Sequence, residues 1–269
     1  MNPRTLLRSL VMATSLVTIA ATQSQAQNLV QGTFEGWNTT TGTPPRGNPF
    51  FWSGTVTQTA GLVGGSNFSA TIQPATTSDN LFQTPSDTTV KNLSLSFQFV
   101  ATDSGSASNR SLQLILQQPG STIPINMIIT RGTSAGLLSL KASDGTAFQT
   151  IAEDIFSAST YNSSTGVWSS TSVYQMTLNV SFGAGAIASN YSVSYGLVGG
   201  AQSTLSNINI FSVAPTDNGV NQVRFTTNSF GSAFAIDNVS LTAIPEPVTS
   251  AVLLSAGTLA FAAMVRRRQ

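Results

Sequence analysis

The chain contains no histidine and no cysteine. Without histidine there is no Ser-His-Asp or Cys-His nucleophilic machinery, no His-ligated zinc and no His general base. Without cysteine there are no disulfides, so stability has to come from burial and, at most, a metal. Charge is scarce as well: Asp, Glu, Lys and Arg make up 8% of the 269 residues, about a third of the usual share. Between residues 27 and 243 there are six basic residues (Arg46, Lys91, Arg110, Arg131, Lys141, Arg224). They face nine acidic ones (Glu35, Asp79, Asp87, Asp103, Asp144, Glu153, Asp154, Asp217, Asp237), a net charge of −3. The sequence shows no basic run there, which argues against nucleic acid as a partner.

What is present is apolar/polar alternation. Leu93, Leu95, Phe97 and Phe99 alternate with Ser94, Ser96 and Gln98. Leu112, Leu114 and Leu116 follow, then Ile123, Ile125, Met127 and Ile129. Tyr174, Met176, Leu178, Val180 and Phe182 alternate with Gln175, Thr177, Asn179 and Ser181. Tyr191, Val193 and Tyr195, Val223 and Phe225, and Phe234 and Ile236 extend the series. A period of two marks half-buried strands with one wet face. Gly-, Asp- and Pro-containing turns separate them, as at Gln118-Pro119-Gly120 and Ser143-Asp144-Gly145. The pattern predicts an all-β, antiparallel sandwich or barrel occupying one domain. Residues 151–157 can be read as a short helix or as another strand. Phe234 and Ile236 share one parity while Val239 and Leu241 share the other. That flip predicts a β-bulge at Asp237-Asn238.

The two ends differ from this body. Arg4 and Arg8, the apolar stretch 10–21 and Ser24-Gln25-Ala26 read as a signal peptide over residues 1–26. Residues 244–269 open with Pro245-Glu246-Pro247, continue with eighteen uncharged residues (248–265) and close with Arg266, Arg267 and Arg268. Eighteen helical residues rise roughly 27 Å, close to the hydrocarbon thickness of a bilayer. A transmembrane helix over 248–265 is therefore expected, with the three arginines retained on the cytoplasmic side. These elements, in this order at the chain end, resemble the PEP-CTERM sorting signal. The resemblance implies an exported bacterial protein, anchored in the inner membrane facing the periplasm. An exosortase-type membrane protease then processes it and leaves it at the cell surface or in the matrix, in association with exopolysaccharide or biofilm.

Two segments of the body, Asn28-Leu29-Val30…Phe34-Glu35 and Ile236-Asp237-Asn238-Val239, resemble the first and last strands of jelly-roll carbohydrate-binding modules and lectin-like sandwiches. That resemblance implies a jelly-roll-type sandwich in which the two strands lie side by side. It also implies a structural Ca2+ between them, with Glu35 and Asp237 as side-chain ligands. Sugars are held by aromatic faces and amide or carboxylate edges, and the aromatic candidates singled out are Trp52 and Trp168. Three readings of function remain. The first is a non-enzymatic surface or matrix protein among polysaccharide. The second is a dedicated carbohydrate-binding module. The third is a glycosidase, which would have to work with carboxylates alone and for which the sequence shows no separated pair. The reading carried forward is non-enzymatic.

Overall fold

In a computed structural model, the structure describes residues 28–32, 46–47, 50–51, 53–54, 57–60, 68–72, 79–106, 109–169, 172–182, 190–227 and 232–244. The strands are β1 (Asn28–Gly32), β2 (Arg46–Gly47), β3 (Phe50–Phe51), β4 (Ser53–Gly54), β5 (Thr57–Ala60), β6 (Phe68–Ile72) and β7 (Asp79–Gln83). Next come β8 (Asn92–Ala101), β9 (Leu112–Gln118), β10 (Thr122–Arg131), β11 (Leu137–Ser143), β12 (Phe148–Ser157), β13 (Thr160–Asn162) and β14 (Val167–Ser169). The last are β15 (Tyr174–Ser181), β16 (Tyr191–Leu197), β17 (Ser203–Ile208), β18 (Gln222–Thr227) and β19 (Phe234–Ala243). One sheet has eight strands in the order β17-β16-β15-β8-β19-β6-β5, with β1 also paired to β19. The other has seven, in the order β12-β11-β10-β9-β18-β7-β4.

The alternation places the core. On β8 the burial pattern is strictly alternate up to Phe99, with Leu93, Leu95, Phe97 and Phe99 inaccessible. β15 repeats it with Tyr174, Met176, Leu178 and Val180. From the other sheet come Leu112, Leu114, Leu116, Ile125, Met127, Ile129, Val223 and Phe225, in the same buried cluster. The two sheets meet through edge-to-face rings. Phe97 lies 4.9 Å from Phe225, and Phe99 lies 5.1 Å from Phe156, the geometry that aromatic quadrupoles favour. This is a two-sheet antiparallel sandwich, as the alternation predicts.

Residues 151–157 belong to strand β12, not to a helix. Their weak periodicity has a cause. The pairing of β11 with β12 shifts register between Leu138 and Leu140 and again between Leu140 and Lys141, and Asp154 has φ 52°. Two irregularities in one strand scramble its parity. The predicted bulge at Asp237-Asn238 is present: β19 pairs Asp237 with Gln98 and Ser240 with Ser96, and the register shifts between. Strands β1 and β19 lie side by side, with Gly32 opposite Val239 and Gln31 opposite Ser240. Residues 1–26 and the expected helix 248–265 lie outside the described residues. Among the described residues no helix is long and apolar enough to cross a membrane.

Candidate functional site

Because neighbours on a strand point to opposite faces, each core residue of the seven-stranded sheet has a partner on its outer side. On β9 these are Gln113, Ile115 and Gln117; on β10, Asn126 and Ile128; on β11, Ser139 and Lys141; on β18, Gln222, Arg224 and Thr226. Register aligns them across the sheet. Arg224 stands opposite Ile115, and Ile115 opposite Asn126. In the next row Thr226, Gln113, Ile128, Lys141 and Thr150 are successive partners. Arg224 and Lys141 are thus three strands apart, roughly 14 Å at the usual inter-strand spacing.

Hydrogen bonds fix this face. Gln113 Nε2 donates to Asn126 Oδ1 at 2.6 Å. Arg110 Nη1 donates to Gln113 Oε1 at 2.7 Å, and its guanidinium lies 5.1 Å above the Phe148 ring. Burial pushes the Arg110 guanidinium below its ordinary pKa. Arg224 Nη2 donates to Gln117 Oε1 at 3.0 Å, while its Nε is buried without a hydrogen-bond partner. Lys141 is half-buried and makes no ion pair with a described residue. The ion pairs found among the described residues, Lys91 with Asp217 at 2.6 Å and Arg131 with Asp103 at 3.8 Å, do not involve this face's cations. Gln113, Ile115 and Ile128 are almost fully covered although they point away from the core. Arg110 and Phe148 stand next to Gln113. Glu153 accompanies the face at the β12 edge, where Ser139 Oγ donates to it at 3.3 Å.

Of the residues singled out in the sequence, the two that are described, Trp168 and Asp237, fall elsewhere. Trp168 is on the β13–β14 hairpin, paired with Tyr161, whose ring is 4.9 Å away. Its indole N–H donates to Thr71 Oγ1 at 3.0 Å. Thr71 and Val100 flank Ala235 in register, and all three are covered on the outer side of the eight-stranded sheet. Trp168 is therefore held against Thr71, with its polar atom already satisfied. Trp52 and Glu35 lie outside the described residues, as do Pro245, Glu246, Pro247, Arg266, Arg267 and Arg268.

Asp237 is 2% exposed. It sits where the partner of β19 changes, since β6 pairs as far as Ile236 and β1 begins at Val239. Asn238 N donates to Asp237 Oδ1 at 2.7 Å, and Asn238 Nδ2 donates to Gln98 Oε1 at 3.0 Å. Calcium takes six to eight oxygens. The described residues bring one carboxylate to this junction, and among them no three of His, Cys, Asp and Glu cluster. On their own they do not make a calcium site.

Asp154 and Asp144 have structural work. Asp154 accepts from Thr133 N, Thr133 Oγ1, Ser134 N and Ser134 Oγ at 2.6 to 3.1 Å. The Ser134 hydroxyl first, then the remaining donors, hold its pKa below the usual range against the effect of burial. Asp144 closes its turn by accepting from Ala147 N and Thr146 N, and its pKa is lowered accordingly. None of the four tyrosines stands on the outer face of the seven-stranded sheet: Tyr174, Tyr191 and Tyr195 pack in or against the core, and Tyr161 is on the hairpin. The residues that build this face (Arg110, Gln113, Lys141, Phe148, Arg224) are not evident from sequence. The signal was there in part, as cations set between apolar neighbours at Leu140-Lys141-Ala142 and Val223-Arg224-Phe225. Only strand order puts them together.

No protein-family model matches the chain, and no curated protein does. Among solved structures it is similar to a seed lectin of Lotus tetragonolobus (TM-score 0.47, 8% identity, 83% of this chain and 100% of that one). It is also similar to the PL-14 alginate lyase of Aplysia kurodai (TM-score 0.46, 10% identity, 72% and 90%). A third is the exoplasmic/lumenal domain of VIP36 in a form bound to Ca2+ and Man3GlcNAc (TM-score 0.42, 9% identity, 73% and 86%). Sandwiches with likeness of this degree serve many unrelated functions.

Proposed function

We propose that the body is a non-enzymatic glycan-binding sandwich, carried by an exported surface or matrix protein. The observation behind this reading is the outer face of the seven-stranded sheet. There Gln113, Gln117, Asn126, Lys141 and Arg224 occupy adjoining registered positions beside Arg110 and Phe148. The half-buried Gln117, Asn126, Lys141 and Arg224 present donors and acceptors to hydroxyl and carboxyl groups, the covered Gln113 fixes Asn126, and a ring beside them offers an apolar face to a sugar. A non-enzymatic role is favoured because Asp144 and Asp154 are committed to turns, and a glycosidase needs two carboxyl groups across a cleft. Retention of the full-length chain on immobilised polysaccharides tests the reading, with Gln113→Ala and Asn126→Ala expected to weaken it. Absence of binding to every acidic and neutral polymer would refute it. Release of new reducing or unsaturated ends would replace it with an enzyme.

The cellular part of the proposal rests on sequence alone. Residues 1–26 direct export, residues 248–265 anchor the chain, and an exosortase-type protease acts at Pro245-Glu246-Pro247 before release among exopolysaccharide. Mass spectrometry of surface material should find chains lacking both ends, and Glu246→Ala should leave the C-terminal segment attached. A structural Ca2+ at Asp237, with Glu35 as second carboxylate, belongs to the same proposal. A chelator should then lower the melting temperature; an unchanged midpoint removes the ion.

A further inference from the structure

Resting on that reading, we infer that the ligand is an acidic polysaccharide, a polymer bearing carboxylates along its length, and that Arg224 and Lys141 are its charge-reading residues. Of the six cations of the body, three stand on or beside this one face, while Lys91 and Arg131 are engaged by acids away from it. Lys141 has no carboxylate partner among the described residues. Arg224 is held through Nη2 by Gln117 at 3.0 Å, and its Nε is a buried donor with no acceptor. The Arg224 side chain as a whole is only half-buried and makes no ion pair with a described residue, so the outer end of its guanidinium can meet a planar carboxylate. A neutral sugar would leave these charges uncompensated. Arg110, stacked on Phe148 and bound to Gln113, stands beside them.

The spacing fits a polymer better than a monosaccharide. Arg224 and Lys141 are three strands and one row apart, roughly 15 Å from the sheet spacings. One sugar cannot meet both, but a short run of acidic residues can. Nucleic acid is disfavoured because affinity for it comes from neutralising many phosphates, whereas this face carries three cations on a body of net charge −3.

The test uses the full-length chain and four probes: polygalacturonate, its methyl-esterified form, dextran and single-stranded DNA, each at low and high NaCl. Polygalacturonate should bind, and raising the salt should weaken it by roughly tenfold as the exposed charge is screened. Esterification should weaken it likewise. Lys141→Gln and Arg224→Gln should each lose roughly fivefold, and Arg224→Lys should recover only part of that loss because it restores charge but not the fork. Lys141 is half-exposed, so its variant keeps the test valid if Arg224→Gln fails to fold. Equal binding of dextran and polygalacturonate without salt dependence would overturn the inference while leaving glycan binding intact. Binding of DNA as tight as polygalacturonate would overturn it in favour of a general anion surface. Binding to none of the probes would refute both readings.

Discussion

Tyr191 offers a direct check on how the interior is balanced. It lies on β16, 3% exposed, with its ring 5.3 Å from that of Phe211 in an edge-to-face arrangement. Its hydroxyl is buried and has no hydrogen-bond partner, and burial pushes the phenol well above its ordinary pKa. A buried polar group without a partner costs about 1–3 kcal/mol. Tyr191→Phe removes that group and keeps the ring. After a small loss of contacts the variant should be more stable by about 1–2 kcal/mol, roughly 2–8 °C in Tm for a domain of this size. The alkaline limb gives a second readout. A pKa raised in the folded state contributes stability that is complete below the unfolded value, about 10, and is lost as pH rises through the folded value. The parent should therefore lose stability above about pH 10 faster than Tyr191→Phe, with the burial-raised Tyr161 common to both. Thermal unfolding followed by circular dichroism across that range measures both effects. A lower Tm in the variant, or identical alkaline losses, would show that the hydroxyl is satisfied and the reasoning wrong.

Three further outcomes follow from other sites. A Cβ at Gly219 would lie 2.4 Å from the carbonyl oxygens of both Thr88 and Val90, so Gly219→Ala should cost about 2 kcal/mol or more; an unshifted urea midpoint would mean the loop yields freely. Asn238 has φ 48° in the bulge, so Asn238→Val should destabilise by about 1–2 kcal/mol while Asn238→Gly stays within about 0.5 kcal/mol; equal effects of the two would argue against a fixed backbone there. Asp87, Asp144 and Asp154 all have lowered pKa values from nearby N–H and O–H donors. Their contribution is complete above the unfolded carboxylate range and is lost as pH falls through the depressed values. The Tm should therefore be flat from pH 7 to about 5 and fall below about pH 4, and a curve level to pH 2 would contradict the clamps.

The sequence was most legible where one strand carries one period. Leu93 to Phe99 and Tyr174 to Val180 alternate without interruption, and so does their burial. The parity flip around Asp237 located a bulge because a single extra residue changes the face of everything after it. β12 was harder. Its two register shifts erase the period, and Asp154 occupies a backbone region usually avoided by residues with a side chain. The candidate site was the least legible, for a physical reason. Arg224, Gln113 and Lys141 belong to three strands, Gln113 and Arg224 being 111 residues apart in the chain, joined only by pairing across the sheet. The aromatics are the more conspicuous feature of the sequence, and Trp168 is engaged by Thr71.

The position of β19 has a consequence for how the body is made. Synthesised last of the nineteen strands described, it is hydrogen-bonded on one side to β8 and on the other to β6 and β1. A nascent chain stopped short of Phe234 would leave all three of those neighbours facing an open slot. The eight-stranded sheet therefore cannot zip up progressively from the N-terminus during translation. Its two parts, β17-β16-β15-β8 and β6-β5, are joined edge to edge only by β19.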